Sequence, residues 1–219
     1  MRWLLAAAAT LITAGTCGAA FAPALLAYDP LLLVAVSPLS RHLVVAAALV
    51  PMLPLVAVAS ARRMLSCTVG YAIGRAYGEG GIAWVRARRP RLRRVIAWLE
   101  HAFDAAAPLV IFIAPGPLTG ALAGATAVPV WVFVPCAAAG HVMWASLTYH
   151  VGLALGDSLA PFLDYVRAHV VSTTAACAVL VFAYAWVRRL ARRSAALGAG
   201  AIAETDEQVL PRAADAGEG

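Results

Sequence analysis

The sequence predicts an all-α polytopic membrane protein, with about four transmembrane helices and two re-entrant hairpins broken by proline. Three observations carry that expectation. Hydrophobic residues make up 63% of the 219 and charged residues 13%, against roughly 25% charged in a soluble domain. The 17 basic residues are all arginine, and the densest groups, Arg86 to Arg94 and Arg188 to Arg193, stand at the ends of apolar stretches. Residues 105–128, AAAPLVIFIAPGPLTGALAGATAV, contain nothing ionisable, yet Pro115, Gly116 and Pro117 sit at their centre. Proline removes a backbone donor and breaks a helix. Non-helical backbone at membrane depth persists only where protein or a water-filled cavity covers it. The simplest arrangement is a segment that dips into the membrane and turns back.

The elements follow in order. Residues 3–27 are long enough for a span, which needs about 20 apolar residues. Met1-Arg2 and the small residues Ala20 and Ala22 resemble a signal peptide, but the apolar run exceeds a signal core of about 7–15 residues. A retained first helix is therefore expected, closed by Tyr28-Asp29-Pro30. Residues 31–50 are apolar but interrupted by Ser37-Pro38 and Arg41-His42, and form the other broken segment. Residues 51–78 begin with Pro51 and Pro54 and end in GYAIGRAYG. Arg62 and Arg63 lie inside this stretch. A charge at the bilayer centre costs about 2.5–3.5 kcal/mol on insertion scales. Either the two arginines face a polar cavity, or the span is 43–61 and they mark its cytoplasmic end.

Residues 82–102 cluster arginines between Trp84 and Trp98, with Ile96, Leu99 and Phe103 at helical spacing. This reads as a basic cytoplasmic interfacial element broken at Pro90. Pro129 starts a long helix to Gly156, and residues 157–168 read as a polar loop with Asp157, Asp164 and Arg167. Residues 169–187 are the last span. The membrane domain is thus 1–193. Residues 194–219 are acidic, poor in large apolar side chains, and expected to be a disordered tail.

Arginine placement sets the topology. Both dense basic clusters belong on the cytoplasmic side. They share a side if the Pro-Gly-Pro segment returns to the face it left, and Arg2 matches them by the same count. Four spans, two broken hairpins and two cytoplasmic termini result, in a multi-pass protein of a bacterial cytoplasmic (inner) membrane. The net charge of +6 and isoelectric point near 9.6 follow from these flanking arginines and do not indicate nucleic acid. Cys17, Cys67, Cys136 and Cys177 are far apart in apolar sequence, with no CxxC or Cys/His metal spacing. No metal or cofactor is expected. No Ser-His-Asp context, phosphate loop or paired carboxylates at depth point to an enzyme.

Three motifs resemble the DedA/VTT superfamily, also called SNARE-associated Golgi proteins. Residues 70–78, GYAIGRAYG, are similar to the family's G-Y-x-x-G-R-x-x-G, which includes Gly74 and Arg75. Residues 123–133, AGATAVPVWVF, are similar to A-G-x-x-x-M-P-x-x-x-F. Gly140 and Trp144, followed by Gly152 and Gly156, are similar to G-x-x-x-W and its glycine-containing helix end. The resemblance covers roughly residues 30–160. It implies two re-entrant hairpins meeting at the membrane centre, and lipid translocation or scrambling, including carrier-lipid recycling, in envelope homeostasis. Two departures stand out. Ser66-Cys67 occupy the place of a family acid, and Val110 and Gly116 fall where the family carries arginines. Asp29, Arg41, Arg62 and Arg63 are the charges left to substitute.

The expected substrate path therefore comprises Pro38, Arg41, Arg62, Arg63, Gly74, Arg75, Pro115, Gly116, Pro117, Gly120 and His141. Arg41 offers paired donors to a phosphate or carboxylate, against the plainer reading of an interfacial arginine reaching for water. His141 is either a proton relay or a hydrogen-bonded helix histidine. The partners expected are membrane lipids, with a homo-oligomer left open. The function expected is translocation of a phospholipid or polyprenyl-phosphate carrier. The alternative is a non-transporting membrane scaffold derived from the same fold.

Overall fold

The computed structural model describes residues 2–88 and 90–189, and within this range no strand occurs. The helices are α1 (Arg2–Ala20), α2 (Ala22–Tyr28), α3 (Pro30–Val36), α4 (Ser40–Ala46), α5 (Met52–Arg88), α6 (Pro90–Ile113), α7 (Pro117–Ala125), α8 (Val130–Ala154) and α9 (Gly156–Ala168), followed by α10 (Val170–Arg189). Four stretches are long and apolar enough to cross a membrane: Trp3–Ala20, Met52–Gly78, Val130–Ala154 and Val170–Arg189. The all-α polytopic architecture and its four spans match the sequence expectation. The acidic tail, with Arg192 and Arg193, lies outside the described residues.

Proline and glycine punctuate the chain where the sequence placed them. Asp29 caps α3 by accepting from the Leu32 backbone N–H at 2.9 Å, and Pro30 opens that helix. Pro38 lies in the gap between α3 and α4. Gly78 ends the apolar part of α5 at φ 57, ψ −152, a conformation essentially restricted to glycine. Beyond it the helix resumes as the basic stretch and stops before Pro90. Ala106 interrupts α6, just ahead of Pro108, so residues 107–113 form a short helix of their own. Ala114, Pro115 and Gly116 are non-helical, and Pro117 starts α7. Each of these short helices has seven to nine residues, about 10–14 Å of length. None alone reaches across about 30 Å of hydrocarbon.

Two expectations are corrected. Residues 3–27 are not one helix: α1 ends at Ala20, and Pro23 takes a first-turn position of a separate α2, where a missing N–H costs nothing. Residues 157–168 are not a loop but the helix α9. Its Leu163 packs with Leu26 of α2 and Leu33 of α3, which gives the segment an apolar face to bury.

Packing is set by small residues. Gly70 and Gly74 of α5 lie against the Pro117 and Ala121 carbonyls of α7, while Gly120 and Gly124 of α7 lie against the Cys67 and Tyr71 carbonyls of α5. Both helices carry glycine at i and i+4 on the facing side, the arrangement that lets backbones touch within a membrane. The paired positions rise together, so α5 and α7 run parallel. Gly140 of α8 meets the Phe112 carbonyl and Pro115, and Gly152 meets Val44 and Ala47.

The core consists of two main apolar clusters with a polar layer between them. One contains Val34, Leu43, Ala46, Leu55, Ala59, Ala145 and Tyr149. The other contains Cys67, Tyr71, Ile111, Leu122, Phe133 and Ala137. Along α5, Ser60 and Arg63 fall between Ala59 and Cys67; along α8, His141 falls between Ala137 and Ala145. Phe103, just before the second broken segment, and Val128, its last residue, share one cluster.

Candidate functional site

A broken helix leaves carbonyls without intrahelical donors, and at membrane depth no bulk water replaces them. At the first break, the Ser37 carbonyl accepts from His42 Nδ1 at 3.0 Å, which fixes that ring nitrogen as the protonated one. The Pro38 carbonyl accepts from Arg63 Nε at 3.0 Å, and Arg63 Nη2 donates to Ser40 Oγ at 3.1 Å. At the second break, the Ala114 carbonyl accepts from Thr119 Oγ1 at 2.7 Å, and the Ile113 carbonyl from Trp144 Nε1 at 2.6 Å. The Gly116 carbonyl accepts from Cys67 Sγ at 3.2 Å.

Arg63 and Cys67 are four residues apart on α5, so the two breaks meet this helix within one turn, about 6 Å. Arg63 lies about 16 Å along α5 from Met52 at 1.5 Å per residue, inside the span that runs to Gly78. That is near the middle of this candidate span. Arg62 points elsewhere: its Nη2 donates to the Leu11 carbonyl of α1 at 3.1 Å and its Nη1 to Ser66 Oγ at 2.7 Å. No acidic residue occurs in residues 30–78 or 105–156. Both guanidinium groups therefore lie within the candidate span with no carboxylate from these stretches to neutralise them.

The other residues expected on a path separate into two groups. Pro38, Arg63, Pro115, Gly116 and Pro117 come together around the meeting point, and His141 lies at the same level on α8, between Ala137 and Ala145. Gly74 and Gly120 are contact points of the α5–α7 pair. Arg41 is exposed on α4, with its Nε 3.4 Å from His42 Nε2, and Arg75 is exposed beyond the glycine contacts. Cys67, of the Ser66-Cys67 pair that stands where the resemblance expects an acid, and Gly116, one of the two positions where it expects arginines, touch each other as a neutral thiol–carbonyl pair.

Thr119 and Ser60 escaped the sequence, and Trp144 and Tyr71 were legible only as motif members, without their contacts. Thr119 closes the second break beside its own prolines, while Trp144, read in the sequence only as part of a family-like motif, closes it from 31 residues away. Ser60 is buried in the polar layer. Tyr71 stacks on Phe133 at 4.3 Å between centroids and donates its hydroxyl to the Val128 carbonyl at 2.6 Å. It pins the turn between α7 and α8 to α5. Tyr71→Phe keeps the ring and removes that donor, so a loss of about 1–2 kcal/mol is expected, read as a lower thermal midpoint of the purified protein in detergent.

A family model for the VTT domain matches residues 37–154, from the first break to the end of α8. No curated protein and no solved structure matches the chain. The matched range covers more than half of the sequence and holds both breaks, Arg63, and the two helices that carry the polar layer. The chain belongs to the VTT-domain (DedA/VTT) family of multi-pass membrane proteins.

Proposed function

We propose that this protein moves an amphipathic lipid between the leaflets of a bacterial inner membrane, with the two broken segments as re-entrant hairpins that form the path. The observation that carries the reading is the meeting of both breaks on one turn of α5, at Arg63 and Cys67, near the middle of the Met52–Gly78 span. Broken helices facing each other at the bilayer midplane expose backbone dipoles to whatever passes, and an arginine there offers a fork of donors to a headgroup. The acyl chains would stay in lipid while the headgroup crosses along the hairpin backbone. Re-entrance places Arg2 and the basic stretch after Gly78 on one side, and with Arg188 and Arg189 it puts both termini in the cytoplasm.

The test is a scrambling assay. Proteoliposomes carrying a fluorescent phospholipid are exposed to a membrane-impermeant reductant. The reading expects loss of fluorescence beyond the outer-leaflet half, at a rate that scales with protein per vesicle. Bleaching that stops at half, as in empty liposomes, would count against it. The neutral Cys67–Gly116 contact favours a second reading, a membrane scaffold that has lost the polar machinery; it predicts that same halt with every lipid tried.

A further inference from the structure

We propose that the polar layer formed by Ser60, Arg63 and His141 is an anion-binding site for a phosphate-type group, whether free or carried on a lipid headgroup. Two buried polar atoms of this layer, Ser60 Oγ and His141 Nε2, have no hydrogen-bond partner. Their residues are 8% and 3% exposed, respectively, so bulk water does not satisfy them either. Buried polar groups are nearly always paired, and an orphaned one asks for its partner. Ser37 Oγ is a third such atom, but Ser37 packs against Gly18 of α1.

The chemistry of the partner follows from the donors. Ser60 lies three residues before Arg63, hence on the same face of α5. His141 of α8 lies level with them, because Ala145 on one side of it shares a cluster with Ala59 and Ala137 on the other shares one with Cys67. Arg63 is cationic and brings only donors; a serine hydroxyl and, in its Nε2–H tautomer, the imidazole add two more. A metal ion is repelled by such a set. A water molecule would fill the hydrogen bonds but leave the charge. Charges taken out of water are held only when paired, and residues 30–78 and 105–156 supply no carboxylate. An anion from outside the chain satisfies all three groups at once. Arg62, one residue away, is turned to α1 and adds positive potential without competing for the ligand. Cys67, the next polar group on this face, is engaged with the Gly116 carbonyl.

As a stopping point on the path, the inference rests on the transport reading; as a binding site it is measured without transport. The full-length protein is placed in nanodiscs of phosphatidylcholine and titrated with inorganic phosphate, with thermal midpoint as readout. A second sample carries a few per cent phosphatidic acid, and lipid retained after extraction is weighed by native mass spectrometry. A rise in midpoint with phosphate supports the site and identifies the free anion as sufficient. No rise, with phosphatidic acid retained in preference to phosphatidylcholine, supports it and assigns the headgroup. Ser60→Ala removes an orphaned hydroxyl, so the unliganded protein should melt no lower than the parent. The same variant should bind the effective anion about tenfold more weakly, as should His141→Asn. That opposition separates a ligand contact from a structural role. No binding of either probe, or unchanged affinity in both folded variants, overturns the site. Scrambling of neutral lipid under that outcome would leave the transport reading intact.

Discussion

Gly74→Leu is expected to destabilise the folded protein severely. A Cβ at this position would run into the Ala121 carbonyl of α7, with its carbon at 2.6 Å and the Ala121 Cα at 2.8 Å. These are backbone atoms, so no rotamer change relieves the clash. The contact repeats at Gly70, Gly120 and Gly124, which makes the α5–α7 pair a single close-packed unit. Overpacking a tight core costs about 1–3 kcal/mol, occasionally more, and here the rest of a leucine side chain must follow the Cβ. A loss of about 3 kcal/mol or more is a large part of the 5–15 kcal/mol that holds a typical domain together. The check is the yield of monodisperse protein in detergent together with its thermal midpoint. Gly15→Ala is the control, because nothing lies within 4 Å of a Cβ there; it should leave both unchanged or raise the midpoint slightly. A parental midpoint for Gly74→Leu would mean that α7 does not lie against α5.

Arg63→Leu is expected to separate stability from function. Removing the guanidinium strands the Pro38 carbonyl, which it now serves at 3.0 Å, at a cost of about 1–3 kcal/mol. Against this stands the relief of a mid-membrane charge, worth about 2.5–3.5 kcal/mol on insertion scales. The two terms nearly offset, so the thermal midpoint should move little. Lipid movement should fall at least tenfold, because the cation that takes the headgroup at that level is gone. Arg63→Lys keeps the charge but loses the planar fork, so it should hold only one of the two contacts and keep part of the rate. Arg62→Leu loses its tie to α1 and should reduce the rate less. A full rate in Arg63→Leu, at parental stability, would remove Arg63 from the path.

The reasons some features were legible in the sequence, and others not, lie in the type of signal. Pro115-Gly116-Pro117 in an uncharged run allows no continuous helix, so the second break was readable. The same holds for Pro38, and for Gly78 at the end of the apolar stretch. The VTT resemblance rested on glycines, and the structure gives several of them a physical role: Gly70, Gly74, Gly124 and Gly140 are places where backbone meets backbone. Arg62 and Arg63 could not be told apart. Adjacent helical residues differ by about 100° in direction, and only the fold shows that one faces the first break and the other α1. Ser60 looked like any small residue in VAVASARR, since its importance comes from neighbours on α8. The helix α9 was misread although its signals were present. Asp157 in its first turn and Arg167 in its last turn suit the helix dipole, and Leu163 and Val166 are its buried face. Counting polar residues hid that periodicity.

The central claim is that each broken segment returns to the side from which it came. Its most direct test places single cysteines at Ala105 and Ala127, both exposed and flanking the second break, after Cys17, Cys67, Cys136 and Cys177 have been replaced. Sealed, oriented vesicles are labelled with a membrane-impermeant maleimide before and after permeabilisation. The account predicts that both positions react from the same face, the one that also exposes a cysteine at Arg94. Reaction from opposite faces would mean that residues 105–127 traverse the membrane, and neither the shared path nor the meeting of the two breaks as hairpin tips would survive that result.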